Sequence, residues 1–136
     1  MADKWTAEER AAMKDRAAEM KGKKVDGLTA VLEKIAAMAP ADRKIAENIH
    51  RLVTKIAPSM DVKTWYGMQA YFLDGKVVVF FQDGGKFKSR YSTLGFQDAA
   101  QLDDGEMWPT SFAVTSWTPA VEKRVSELVL RAIERK

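Results

Sequence analysis

The run Trp65 to Tyr91, WYGMQAYFLDGKVVVFFQDGGKFKSRY, constrains the fold more than any other stretch of the chain. Two apolar segments rich in β-branched and aromatic residues, Ala70 to Leu73 and Lys76 to Phe81, flank the pair Asp74-Gly75. Asp-Gly between such segments is a strong hairpin signal, because glycine accepts a positive φ without steric cost and so suits a type I′ turn. Gln82 to Gly85 reads as a second turn and Lys86 to Tyr91 as the returning strand. The middle strand of this meander, Val77 to Phe81, has no polar face. It must lie in mid-sheet or be covered on both sides.

Helical patterns surround the meander in a chain of 136 residues, the size of one domain. Thr6-Ala7-Glu8-Glu9 is a capping box that opens a helix to about Lys21, with a thin stripe of Met13, Ala17 and Met20. Gly22 to Gly27 reads as a linker, so residues 1–27 are expected to be a peripheral capped helix and its linker. Residues 28–136 are expected to be a single domain. Leu28 to Met38 repeats apolar residues at Leu28, Val31 or Leu32, and Ile35; Ala41 to Ala57 does so at Ile45, Ile49, Leu52 and Ile56, widened by Val53. Pro58 ends that second helix. Ser92 to Thr110 is irregular, with exposed-looking Phe96 and Trp108. Ser111 to Trp117 alternates as a further strand with Phe112 and Val114 on one side. Thr118-Pro119 caps a last helix striped by Val121, Val125, Leu128, Val129, Ala132 and Ile133. The expected class is α+β: N-terminal helices, a central, mostly antiparallel sheet of about four or five strands, and a C-terminal helix packed on the sheet.

Several chemistries are excluded by composition. The chain has no cysteine, which removes disulfides, thiolate nucleophiles and sulfur-ligated zinc or iron–sulfur sites. A net charge of +3 is low for a dedicated nucleic-acid binder. No apolar run reaches the roughly 18 residues of a membrane span, and MADKWTAEER lacks the apolar core of a signal peptide. A cytoplasmic protein without a membrane partner, monomer or homodimer, is the expectation.

Four groups of residues carry candidate chemistry. Lys86, Lys88 and Arg90 alternate with Phe87, Ser89 and Tyr91, which on a strand puts three cations on one face. The amides of Gly84-Gly85 just before them suit an anion. Trp65, Tyr66, Met68 and Tyr71, with Trp108, could line a pocket for a small anionic or aromatic molecule, and Gly67 among them marks a bulge or a close approach. Asp98, Asp103, Asp104 and Glu106 form an oxygen-rich loop suited to a weakly held hard cation, though an ordinary solvated turn has the same composition. His50 is the one histidine and lacks a sequence-adjacent partner for metal or acid–base work. The hydroxyl residues sit in no nucleophile-elbow context, and Gly84-Gly85-Lys86 lacks P-loop spacing.

Lys63-Thr64-Trp65-Tyr66-Gly67-Met68, followed by Ala70-Tyr71 and Asp74-Gly75-Lys76-Val77-Val78, resembles the signature of the YdhG-like domain family. The resemblance extends through Lys86 to Tyr91, Thr93 to Phe96, Leu102 to Gly105 and Met107 to Thr110, and so covers nearly the whole chain. Gln69 stands where that family usually has proline. The resemblance implies a small bacterial cytoplasmic α+β domain. Some members are described as frataxin-like iron chaperones, which would make Asp98, Asp103, Asp104 and Glu106 the iron-holding residues. The leading expectation is a non-enzymatic binding domain that requires no cofactor, with its site where the Trp65–Tyr71 strand, the Lys86–Arg90 stripe and the Asp98–Trp108 loop join. Ferrous iron delivery is the alternative, and an enzyme using His50 the second.

Overall fold

A computed structural model describes Glu8 and Asp26 to Glu134. Glu8 apart, the expected helix from Thr6 to Lys21, and the linker up to Val25, lie outside the described residues. The architecture follows the sequence: two helices, α1 (Gly27–Ala36) and α2 (Pro40–Ile56), then five strands, then α3 (Pro119–Ala132). The strands are β1 (Asp61–Trp65), β2 (Met68–Leu73), β3 (Lys76–Gln82), β4 (Ser92–Phe96) and β5 (Ser111–Val114). They pair antiparallel in sequence order, so the all-apolar β3 lies in the middle of the sheet.

Helix boundaries are set by local chemistry. Asp26 caps α1, its carboxylate accepting from the amides of Leu28 (3.0 Å) and Thr29 (3.5 Å) and from the Thr29 hydroxyl. Gly27 is therefore the first helical residue, not the end of a linker, and it packs so closely on the Val62 carbonyl that a β-carbon would not fit. The stripe of α1 is Val31 and Ile35, both buried, while Leu28 and Leu32 are about half exposed. Pro40 occupies the first turn of α2, where its missing amide hydrogen costs nothing. Thr118 caps α3 by accepting from the Val121 amide at 3.2 Å.

Both hairpins use a pair of left-handed residues. Asp74-Gly75 has φ of 52° and 80°, as a type I′ turn demands, and Leu73 pairs with Lys76 across it. Tyr66-Gly67, with φ of 51° and 77°, makes the same turn between β1 and β2. Gly67 is thus the second turn residue of a hairpin, not a bulge, and the bulge sits instead between β2 and β3 at Tyr71/Phe72.

The returning strand of the meander starts later than Lys86. Gly84–Phe87 form a 3-10 turn that ends on Lys88 with φ of 55°, and pairing resumes only at Ser92. The cause is a clasp. Asp42 of α2 accepts from the Gly85 amide at 2.9 Å and from the Ser92 hydroxyl at 3.1 Å, and that hydroxyl accepts from the Gly84 amide at 3.0 Å.

The three helices between Asp26 and Glu134 share one apolar core with a single face of the sheet. Val31 and Ile35 of α1, Ile45, Ile49, Leu52 and Val53 of α2, and Val125 and Val129 of α3 meet Tyr71, Val79, Phe81, Leu94 and Val114. Phe96 is buried in this core and is not a surface ring. Register puts Trp65, Met68, Ala70, Phe72 and Phe80 on the opposite face. There the Trp65 and Phe80 rings lie 5.3 Å apart, and Phe80 rests against Gly95 where no β-carbon would fit.

Candidate functional site

The structure divides the expected site between two ends of the sheet. The Tyr66-Gly67 turn and the connection from Asp83 to Tyr91 lie at one end, since Gln69 pairs with Phe81. The Asp98–Trp108 loop leaves β4 at the other end, beside the Asp74-Gly75 turn, and Leu73, Asp74, Lys76 and Asp98 line one shallow hollow there. Strands of this length hold their ends about 17–20 Å apart. The three segments therefore do not join.

Each group has its own place. Trp65 and Met68 are half-buried on the sheet face opposite the helices, and Tyr66 is exposed at the turn with its ring 5.0 Å from that of Trp65. Tyr71 belongs to the core and lines no surface: it is fully buried, with its hydroxyl 2.9 Å from His50 Nδ1 and 3.0 Å from Gln69 Nε2. Lys86 lies within the 3-10 turn, exposed Lys88 has its ammonium 3.9 Å from the Glu8 carboxylate, and Arg90 lies over the Tyr91 ring. None of the three is on a strand, so no period-two cationic stripe exists. The amide pair expected to cradle an anion already holds part of one, because Asp42 takes the Gly85 amide. Beside this clasp, burial raises the pKa of Asp83, with a smaller push from the Asp42 charge and an opposing pull from Lys86.

The acidic loop is pinned by α3. The Gln101 amide donates to the Ala132 carbonyl at 2.8 Å, and Arg131 donates to the Asp103 carbonyl at 2.7 Å. Asp98 and Asp103 share a hollow of about 330 Å³ with Trp108 and Phe96, while Asp104 and Glu106 are exposed around Gly105 at φ 71°. Among the described residues no three His, Asp or Glu side chains come together to hold an ion. His50 reaches Tyr71 and is half-buried; that burial lowers its pKa. Gln69 Nε2 also donates to the Ala46 carbonyl at 3.2 Å, while its Oε1 is buried without a partner.

An apolar hollow lies elsewhere among the described residues, between β5 and α3. It has about 310 Å³ and is lined by Leu94, Phe112, Val114, Val121, Val125 and Leu128, with Thr115 and Ser116 at one end. Among the described residues β5 is an edge strand, so this groove runs along that edge of the sheet. Arg124 borders it, its guanidinium carbon 5.9 Å from the centre of the Phe112 ring. One sequence signal was available. The α3 stripe is wider than a single core contact needs, and Arg124 falls between Val121 and Leu128 in it. That the short β5 would leave part of the stripe uncovered was not visible in the residues. No helix among the described residues is long and apolar enough to cross a membrane. No protein-family model, curated protein or solved structure matches the chain.

Proposed function

We propose that this chain is a non-catalytic binding domain that takes a small, largely apolar molecule into the groove between β5 and α3. The observation that carries the reading is the groove itself. Its 310 Å³ falls at the lower end of the roughly 300–1,000 Å³ of small-ligand sites, and its walls are mostly aliphatic and aromatic with a few polar groups at the rim. Burying an apolar ligand there gains about 25 cal/mol per Å² of surface removed from water. The wall residues Val125 and Val114 are anchored in the core, so the groove is formed before a ligand arrives. The resemblance of the Lys63–Met68, Leu102–Gly105 and Met107–Thr110 strings to YdhG-like domains, small cytoplasmic α+β proteins largely without known function, is compatible with such a role and adds no ligand residues. Iron delivery finds no three-carboxylate group to rest on among the described residues.

A neutral fluorophore, N-phenylnaphthylamine, tests the reading. Wild-type protein should enhance its emission saturably. Ala120→Trp, which puts an indole at the rim of the groove, should abolish that enhancement while the far-UV circular dichroism is unchanged. Equal enhancement by the variant, or none by the wild type, would sink the proposal.

A further inference from the structure

The groove is asymmetric in charge, and on the reading above this decides what it accepts. Among the described residues Arg124 is the one charged residue in its lining, which includes no carboxylate. Two acids of α3 lie near Arg124 in sequence: Glu127, at i+3, is about 60° around the helix and outside the groove lining, and Glu122 is on the far side, about 160° away. Glu122 is committed to Arg51 of α2 at 2.6 Å and to the Trp117 indole at 3.0 Å. Arg124 lies above Phe112, at a distance that allows a cation–π contact holding its arm over the apolar walls. Its guanidinium donors are directed by a planar fork that matches a carboxylate. The end of the groove lined by Thr115, Ser116 and Ala120 is also the end at which α3 begins, where the helix dipole favours negative charge. Ala120 and Arg124 are one helical turn apart, so the cation, the two hydroxyl residues and the positive helix end surround one mouth.

We infer that the groove selects amphipathic carboxylates, with the alkyl or aryl body between β5 and α3 and the carboxylate at Arg124. The selectivity is electrostatic and the affinity apolar. Removing the cation should therefore erase discrimination between head groups without erasing binding.

Calorimetric titration with octanoate, octanol and octylamine at neutral pH separates these contributions. Octanoate should bind about fivefold tighter than octanol, the size expected of one partly exposed charge contact, and octylamine weakest. Arg124→Gln should bring octanoate down to the level of octanol and leave octanol unchanged. Lys123→Gln makes the same change in net charge one residue away, outside the lining, and should leave all three affinities as they were. Equal binding of octanoate and octanol by the wild type would overturn the charge selection while leaving the apolar groove standing. So would a Lys123→Gln loss as large as that of Arg124→Gln. No binding of any of the three would overturn both.

Discussion

His50, Tyr71 and Gln69 form one hydrogen-bonded chain. Gln69 donates to the Tyr71 oxygen, and the neutral His50 tautomer with Nδ1 unprotonated accepts the Tyr71 proton, which gives the buried hydroxyl both a donor and an acceptor partner. Burial acts in the same direction and lowers the His50 pKa from its ordinary 6.5. The folded chain then binds fewer protons than the unfolded one just below pH 6.5. His50 withdraws nothing from stability above that value, and it withdraws progressively more as pH falls through 6.5 toward the lower folded value. As the sole histidine, it can be isolated. Denaturant midpoints should fall between pH 7 and pH 5.5 in the wild type, and this slope should flatten in His50→Gln. A slope that survives the substitution would show the relay has no such effect. Tyr71→Phe strips the hydroxyl from a fully buried ring and leaves His50 Nδ1 without its partner, and should cost about 1–3 kcal/mol in the same assay. Sequence reading singled out His50 as a histidine without a sequence-adjacent partner and could not show Tyr71, 21 positions away, as the group it meets. A tyrosine in an apolar strand reads equally as core or as pocket lining until the other layer is present.

At the scale of elements, the two hairpins show what a sequence does and does not announce. Asp74-Gly75 was readable because both residues are common in turns that need positive φ. Tyr66-Gly67 has the same geometry, but a tyrosine with φ of 51° is outside ordinary preference, and only its glycine hinted at the turn. The segment after β3 failed for a different reason. Lys86 to Tyr91 alternates like a strand, yet the Asp42 carboxylate arrives from α2, 43 positions earlier than Gly85, and holds the chain in a 3-10 turn. A contact of that range leaves no mark on local periodicity. Asp42→Ala should cost about 1–2 kcal/mol, since the Ser92 hydroxyl is almost wholly buried and would lose its acceptor. Amide exchange locates the effect: Gly84 and Gly85 should lose protection while β2 amides keep theirs. Uniform loss across the sheet, or none, would show that the turn does not depend on Asp42. Asp83 next to it gives the opposite sign. Because burial raises its pKa, its ionised form destabilises the fold above that pKa, so Asp83→Asn should stabilise the protein at neutral pH and progressively less as the medium is acidified.

Across the whole molecule, the class, the element order and the central place of β3 were all readable, since each follows from periodicity and turn chemistry. What joins what was not. The leading site expected from the sequence needed three segments to meet, and the antiparallel meander sends the Asp98–Trp108 loop to the end of the sheet away from Tyr66 and Lys86. The same topology draws all three described helices onto one face, so the core is continuous from α1 to α3 and no subset of elements has a core of its own. Such a molecule should unfold as one unit. Ile49 lies at the centre of α2 with no exposed surface and touches the layer that the other elements share. Ile49→Ala should therefore cost about 2–5 kcal/mol, shifting the urea midpoint without changing the slope of the transition. Far-UV circular dichroism follows the helices; tryptophan fluorescence sums the four indoles of the chain, among them Trp65 on the opposite face of the sheet and Trp108 and Trp117 packed against the core. The two signals should coincide in the wild type and in the variant. Separate transitions, with the fluorescence change trailing the loss of helix, would mean that the sheet and its aromatic face hold together without the helices, and that the single core does not set the stability of the fold.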